Sequence, residues 1–159
     1  MNVTIAAVGR LKAGPERELL ERYLDRAEKA GRRLGLSFTV REFAESRAAA
    51  TGTRKIEEAT ALLASLPSGA ILVALDETGA SLDSRAFATR IGKWRDGGTG
   101  DVVLAIGGPD GHGEALLSKA ALRLAFGGMT WPHQLVRLML AEQLYRVVTI
   151  LSGHPYHRD

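Results

Sequence analysis

The sequence predicts an α/β fold: a mostly parallel sheet flanked by helices. Three observations lead there. Strand-like and helix-like patterns alternate along the chain, which is the signature of that class. Two runs, Ala70–Leu75 and Val102–Ile106, are apolar without alternation, as strands covered on both faces are. Several of the strand patterns end in a glycine-bearing turn that leads into a helix pattern.

The elements follow in order. Val3–Val8 is β-branched-rich and closed by Gly9, hence a strand. Pro15 opens an amphipathic helix to about Leu34, with Leu19, Leu20, Tyr23, Leu24, Ala27 and Leu34 near one face. Leu36–Phe43 alternates and reads as a half-exposed strand. Ala44–Gly52 reads as a mobile loop, and Thr53–Leu66 as a helix capped by Thr53 and closed by Pro67. The strand Ala70–Leu75 is followed by a turn at Asp76–Gly79 and a helix over Leu82–Arg95. The strand Val102–Ile106 runs into Gly107–Gly113, a short helix over Glu114–Ala121 and a fifth strand at Leu122–Phe126. Gly127 and Gly128 then lead to Pro132, which suits a first helical turn, and to a last helix over His133–Leu151. That helix is apolar nearly all round, so one side meets the core and another meets something else. No repeat or linker divides the chain, and residues 1–159 read as a single domain.

Bulk properties exclude more than they assign. With 159 residues, 45% hydrophobic and 25% charged, the chain is ordinary for a soluble globular protein. It has no cysteine, so disulfides and thiolate metal sites are excluded. No apolar run reaches membrane-spanning length and no signal layout opens the chain, which makes the cytoplasm the expected location. A net charge of +3 permits a nucleic-acid partner without requiring one. The dinucleotide glycine fingerprint, the phosphate-binding P-loop, the nucleophile elbow and the His-Glu-x-x-His zinc helix are all absent.

In parallel sheets ligands bind beyond the carboxyl ends of the strands. Gly107–Gly111, Phe126–Trp131 and Asp76–Gly79 all sit at such ends. Gly107-Gly108-Pro109-Asp110-Gly111 is either a sharp turn or a ring of backbone N–H donors around a ligand. His133 is either a capping or surface residue or a proton acceptor, and Trp131 either stacks on a base or packs. The tail His154-Pro155-Tyr156-His157-Arg158 combines aromatic, imidazole and guanidinium groups that can grip a nucleotide, or it is a frayed basic end. Zinc held by His133, His154 and His157 lacks an acidic ligand, and no metal is expected.

Four ordered segments, Ile106–Gly111, Met129–Arg137, Ala141–Arg146 and His154–Arg158, resemble the RlmH (YbeA-type) family, the ribosomal RNA large subunit methyltransferases H of the SPOUT class. The resemblance covers the whole chain. It implies a SPOUT-type fold with a C-terminal trefoil knot, a homodimer, and S-adenosylmethionine as methyl donor. By position it implies cofactor binding by Leu75, Gly107, Phe126, Gly127, Gly128, Met129, Thr130 and Trp131. Family members often carry Ser near Gly127 or Gly128, so backbone takes the place of a hydroxyl there. The implied substrate is a pseudouridine of 23S ribosomal RNA, methylated at N(3) within the assembled ribosome. His133, Arg137, Tyr156, His157 and Arg158 are the expected catalytic residues, with His154, Tyr156, His157 and Arg158 on the substrate. Two other expectations stand beside it: a non-catalytic RNA-binding or ribosome-assembly factor, and a SPOUT methyltransferase acting on another RNA nucleotide.

Overall fold

The computed structural model describes residues 1–156. Strands β1 (Asn2–Val8), β2 (Ser37–Phe43), β3 (Ile71–Ser81), β4 (Asp101–Ile106) and β5 (Leu122–Ala125) form one sheet in the order β2-β1-β4-β3-β5. Every pairing is parallel. Helices α1 (Pro15–Gly31), α3 (Ser84–Asp96) and α5 (His133–Ser152) cover one face, and α2 (Thr51–Ala64) and α4 (Glu114–Leu117) the other. Alternate residues divide between the two cores. Val3, Ile5 and Ala7 join Val73, Leu75, Leu104 and the α5 residues Leu140, Leu144 and Val148. Ala6 and Val8 join Leu72, Ala74, Val103, Ala105 and the α2 residue Leu62. Burial on both faces is why the β3 and β4 runs lack polar alternation.

Several boundaries differ from those read in the sequence. The first helix ends at Gly31, and a 3-10 turn over Arg32–Leu34 carries the chain to a left-handed Gly35. Helix α2 starts at Thr51, after Ala50, and Thr53 does not cap it. Arg54 fixes the entry instead, donating to the carbonyls of Ala48 and Ala49 and to the Thr51 hydroxyl. The Ala44–Gly52 segment is pinned by buried Glu58, which accepts from Ser46 N at 3.0 Å. Asp76–Gly79 does turn, but inside β3: the strand bulges and resumes, so that Leu75 and Ala80 both align with Leu124. A Cβ on Gly79 would lie 2.6 Å from the Arg123 carbonyl carbon, so only glycine lets the bulge press on β5. Helix α4 stops at Leu117, since Ala121 N donates to Leu72 O and draws the chain into the sheet. Pro132 precedes the first helical residue of α5, His133, and its carbonyl accepts from Val136 N.

Candidate functional site at the carboxyl edge of the sheet

A cavity of about 740 Å³ opens where β3, β4 and β5 end. That size suits a drug-sized ligand. Apolar walls come from Leu75, Ile106 and Leu124, and the floor from the Gly107–Gly111 turn. The turn is tight: Gly108 and Gly111 bridge, Gly111 N donates to Gly108 O, and Gly111 takes φ 78°. A Cβ on Gly107 would meet the Gly111 carbonyl carbon at 2.9 Å, so the turn needs glycine there. Arg54 steadies it from outside through a 2.6 Å ion pair with Asp110, whose carboxyl it holds below the usual range.

The second wall is the loop from Phe126 to Pro132. Gly127 takes φ 91°, which starts the reversal out of β5. The Trp131 indole donates to Phe126 O at 3.2 Å and closes the loop on itself. Thr130 donates to Glu77 Oε2 at 3.0 Å, joining the loop to the β3 bulge. Of the expected cofactor residues, Leu75, Gly107, Phe126, Gly127, Met129, Thr130 and Trp131 line this cavity, whereas Gly128 is exposed beside it.

Charge at the site comes from residues whose sequence context gave little signal. Burial alone would raise the Asp76 carboxyl, but bonds from the Thr78 hydroxyl and amide outweigh it and hold the group below its usual range. His112 lines the cavity yet is only 4% exposed. Burial pushes its pKa below the ordinary value, and the neutral ring donates from Nε2 to Ala105 O at 3.2 Å. The histidine stood in plain view after Gly111, but nothing local marked it as buried. Lys55 and Arg123 add positive charge to the lining.

The expected catalytic residues do not gather in one place. His133 lies on the cavity rim at the start of α5. A Cβ built on Gly9 would stand 3.6 Å from its Nε2 and 2.7 Å from Glu45 Oε1, so these two groups share the space beside the end of β1. Arg137, one turn further on, was expected to face RNA and instead is fully buried. Its guanidinium pairs with Glu42 at 2.6 Å and donates to Val8 O and Gly9 O, leaving Nε without a partner among the described residues. The reason is packing: α5 lies along the end of β1, and residue 137 falls on its inward side with Leu140 and Ala141. Burial lowers the pKa of Arg137, with Glu42 opposing.

The tail is elsewhere. Tyr156 packs on Tyr145 at a tilt of 58° with centroids 4.6 Å apart, lies under Arg146 and donates to Glu142 Oε1 at 3.3 Å. Burial, then a bond with Tyr23, pushes its pKa up to about 12. His154 is exposed, and its Nδ1 accepts from Tyr156 N. His157 and Arg158 lie outside the described residues. The zinc grouping does not form among the described residues. His133 opens the 20-residue α5 and His154 follows its other end, which helical rise puts about 30 Å away. Among the described residues no helix is long and apolar enough to cross a membrane.

Comparison with known proteins agrees with the reading of the sequence. The family model described as "Predicted SPOUT methyltransferase" matches residues 1–157. The ribosomal RNA large subunit methyltransferase H of Brucella anthropi is 57% identical over 160 residues, covering 100% of both chains. Its counterpart from Bradyrhizobium diazoefficiens is 56% identical over 159 residues, 99% of each chain. That from Allorhizobium ampelinum is 58% identical over 160 residues, again 100% of both. Identity at this level along the full chain, on a parallel sheet with a glycine-lined cavity at its carboxyl edge, means that the chain belongs to the SPOUT methyltransferase family.

Proposed function

We propose that the protein is an S-adenosylmethionine-dependent methyltransferase that modifies the N(3) nitrogen of a pseudouridine in large-subunit ribosomal RNA. The names of its full-length relatives support the RNA and the reaction class. The observation that carries the reading is the cavity between Gly107–Gly111 and Phe126–Trp131, with His133 on its rim. Its residues fit the cofactor. Leu75, Ile106 and Leu124 offer an apolar bed for an adenine, the two glycine-bearing loops offer backbone N–H groups, and the Asp76 and Glu77 carboxylates suit hydroxyls or an ammonium.

S-adenosylmethionine supplies an electrophilic methyl group on a sulfonium. The protein then has two tasks of its own: to orient the ring nitrogen and to remove its proton. We assign the acceptance of that proton to His133, which lines the cavity rim. Negative charge spreading onto the flanking ring carbonyls is met by backbone N–H donors or by the tail Arg158, since Arg137 is sealed inside the fold. His154, Tyr156 and His157 belong to the substrate side. Tyr156 docks on Tyr145 of its own helix and not at its own cavity. Met129, Trp131 and Leu135 are exposed at the α5 start. Both features support a homodimer in which the tail of one protomer serves the cavity of the other. A single domain with a C-terminal trefoil knot, working in the cytoplasm, completes the reading.

The test is transfer of a labelled methyl group to ribosomes lacking the modification, followed by mass mapping of the RNA. One methyl group on a pseudouridine base is the expected result. Methylation of another nucleotide moves the substrate assignment, and absence of S-adenosylmethionine binding in calorimetry removes the enzyme reading altogether.

A further inference from the structure

The β1–α1 loop, Gly9–Gly14, presents two cations that the fold does not use. Arg10 and Lys12 are exposed, and neither is bonded to a carboxylate among the described residues. Leu11 between them is buried and serves as their anchor. The backbone on either side is held from several directions. Gly9 N donates to Phe43 O, Leu11 N donates to Glu42 Oε1, and Arg17 donates to Leu11 O. Buried Arg137 closes the set by donating to Val8 O and Gly9 O while pairing with the same Glu42. A fully buried guanidinium and a shared carboxylate are therefore used to fix a surface loop. What that loop shows to solvent is Arg10 and Lys12.

Its location matters as much as its rigidity. The side of buried Gly9 where a Cβ would stand faces Glu45 and His133 Nε2, so Arg10 follows a residue packed against the rim of the cavity. The acids nearby are Glu45 beside Gly9, Glu42, already engaged by Arg137 and Leu11, and Glu16 near Gly14. Among the described residues, none of these acids is bonded to either cation. Cations held in place before binding lose little freedom when an anion arrives. An exposed guanidinium and ammonium side by side suit phosphate oxygens, and phosphate contacts set the register of a nucleic acid.

We propose that Arg10 and Lys12 form a phosphate ledge that grips the RNA backbone next to the nucleotide offered to His133. The inference rests on the RNA methyltransferase reading above and adds the surface by which the polymer is held. The experiment compares wild type, the double variant Arg10→Gln/Lys12→Gln, the charge-preserving Arg10→Lys/Lys12→Arg, and Arg33→Gln. Arg33 is exposed in the turn before β2, at the opposite edge of the sheet. Steady-state methylation of ribosomes is measured together with binding to large-subunit ribosomal RNA at several salt concentrations. Calorimetry with S-adenosylmethionine is the third readout.

In the glutamine double variant KM for ribosomes should rise about tenfold, with kcat and cofactor affinity kept. The salt slope of RNA binding should fall by about 0.7 for each cation removed. The charge-preserving variant should keep the wild-type slope, and Arg33→Gln should match wild type throughout. If the glutamine double variant matches Arg33→Gln while wild type methylates normally, the ledge is wrong and the enzyme reading stands. Equal loss of cofactor affinity in that variant would also overturn it, by showing a general structural defect. Failure of wild type to transfer a methyl group would remove the reading on which the ledge depends, and the ledge with it.

Discussion

The β1–α1 and β5–α5 loops begin alike and are built differently. Each leaves the carboxyl end of a parallel strand through a glycine in the left-handed region, Gly9 at φ 87° and Gly127 at φ 91°. The first is then fastened by groups from other elements, buried Arg137 of α5 and partly exposed Glu42 of β2. The second is held by its own Trp131 and by one bond from Thr130 to the β3 bulge. On the proposed function, the difference matches what each loop has to meet. A polymer is gripped well by charges already in place, whereas a small molecule in a cavity needs walls that can close around it. Stability is therefore expected to concentrate beneath the first loop and, on the proposed function, ligand contact along the second.

The largest effect that would break this contrast is at Arg137. Arg137→Met leaves the Val8 and Gly9 carbonyls without this donor and takes the ion pair from Glu42, and each buried acceptor left unsatisfied costs about 1–3 kcal/mol. Urea denaturation should show that loss as a lower midpoint; a change within about 0.5 kcal/mol would mean that the clamp is not a major source of stability. Gly79→Ala comes next. Its Cβ would press on the Arg123–Leu124 backbone, and overpacking of this kind costs about 1–3 kcal/mol. The same variant should weaken cofactor binding, because Glu77 and Thr130 are joined across that bulge.

Smaller still is Thr130→Val, which removes one hydrogen bond from the second loop. A net bond is worth about 1 kcal/mol. The expected result is cofactor affinity down about fivefold, with the thermal midpoint hardly moved. If instead the midpoint falls and affinity does not, the two loops share the structural task.

The smallest effect is in acid. His112 has a folded pKa below the 6.5 of a free imidazole, because burial disfavours its charged form. Below pH 6.5 the unfolded chain takes up a proton that the folded one refuses, so stability is full above that pH and declines as pH falls towards the folded pKa. His112→Asn should flatten that part of the stability curve. An unchanged acid limb would mean that other groups control it.

Much of the fold was legible because its physics is local. Two-sided burial leaves continuous apolar runs, so β3 and β4 could be read from composition alone. The second half of β3 could not, since Ala80 and Ser81 are strand only through pairing with Leu124 and Ala125 on β5. The site divides in the same way. Glycines at strand ends mark the cavity loops, and seven of the eight expected cofactor positions line the cavity: Leu75, Gly107, Phe126, Gly127, Met129, Thr130 and Trp131. Arg137 was misread because a charge on a helix looks outward until its acceptor is known, and Glu42 lies on a distant strand. Arg10 and Lys12 look like any surface pair in the sequence, and only the clamp beneath them sets them apart.

The central claim is that the cofactor lies between the two glycine-bearing loops at the carboxyl edge of the sheet. Titration of isotope-labelled protein with S-adenosylmethionine, read by backbone amide shifts, tests it directly. Changes should concentrate at Leu75–Thr78, Gly107–His112 and Phe126–Trp131, with α1 and β2 silent. Shifts centred on α1 or β2, or none at saturating cofactor, would contradict it.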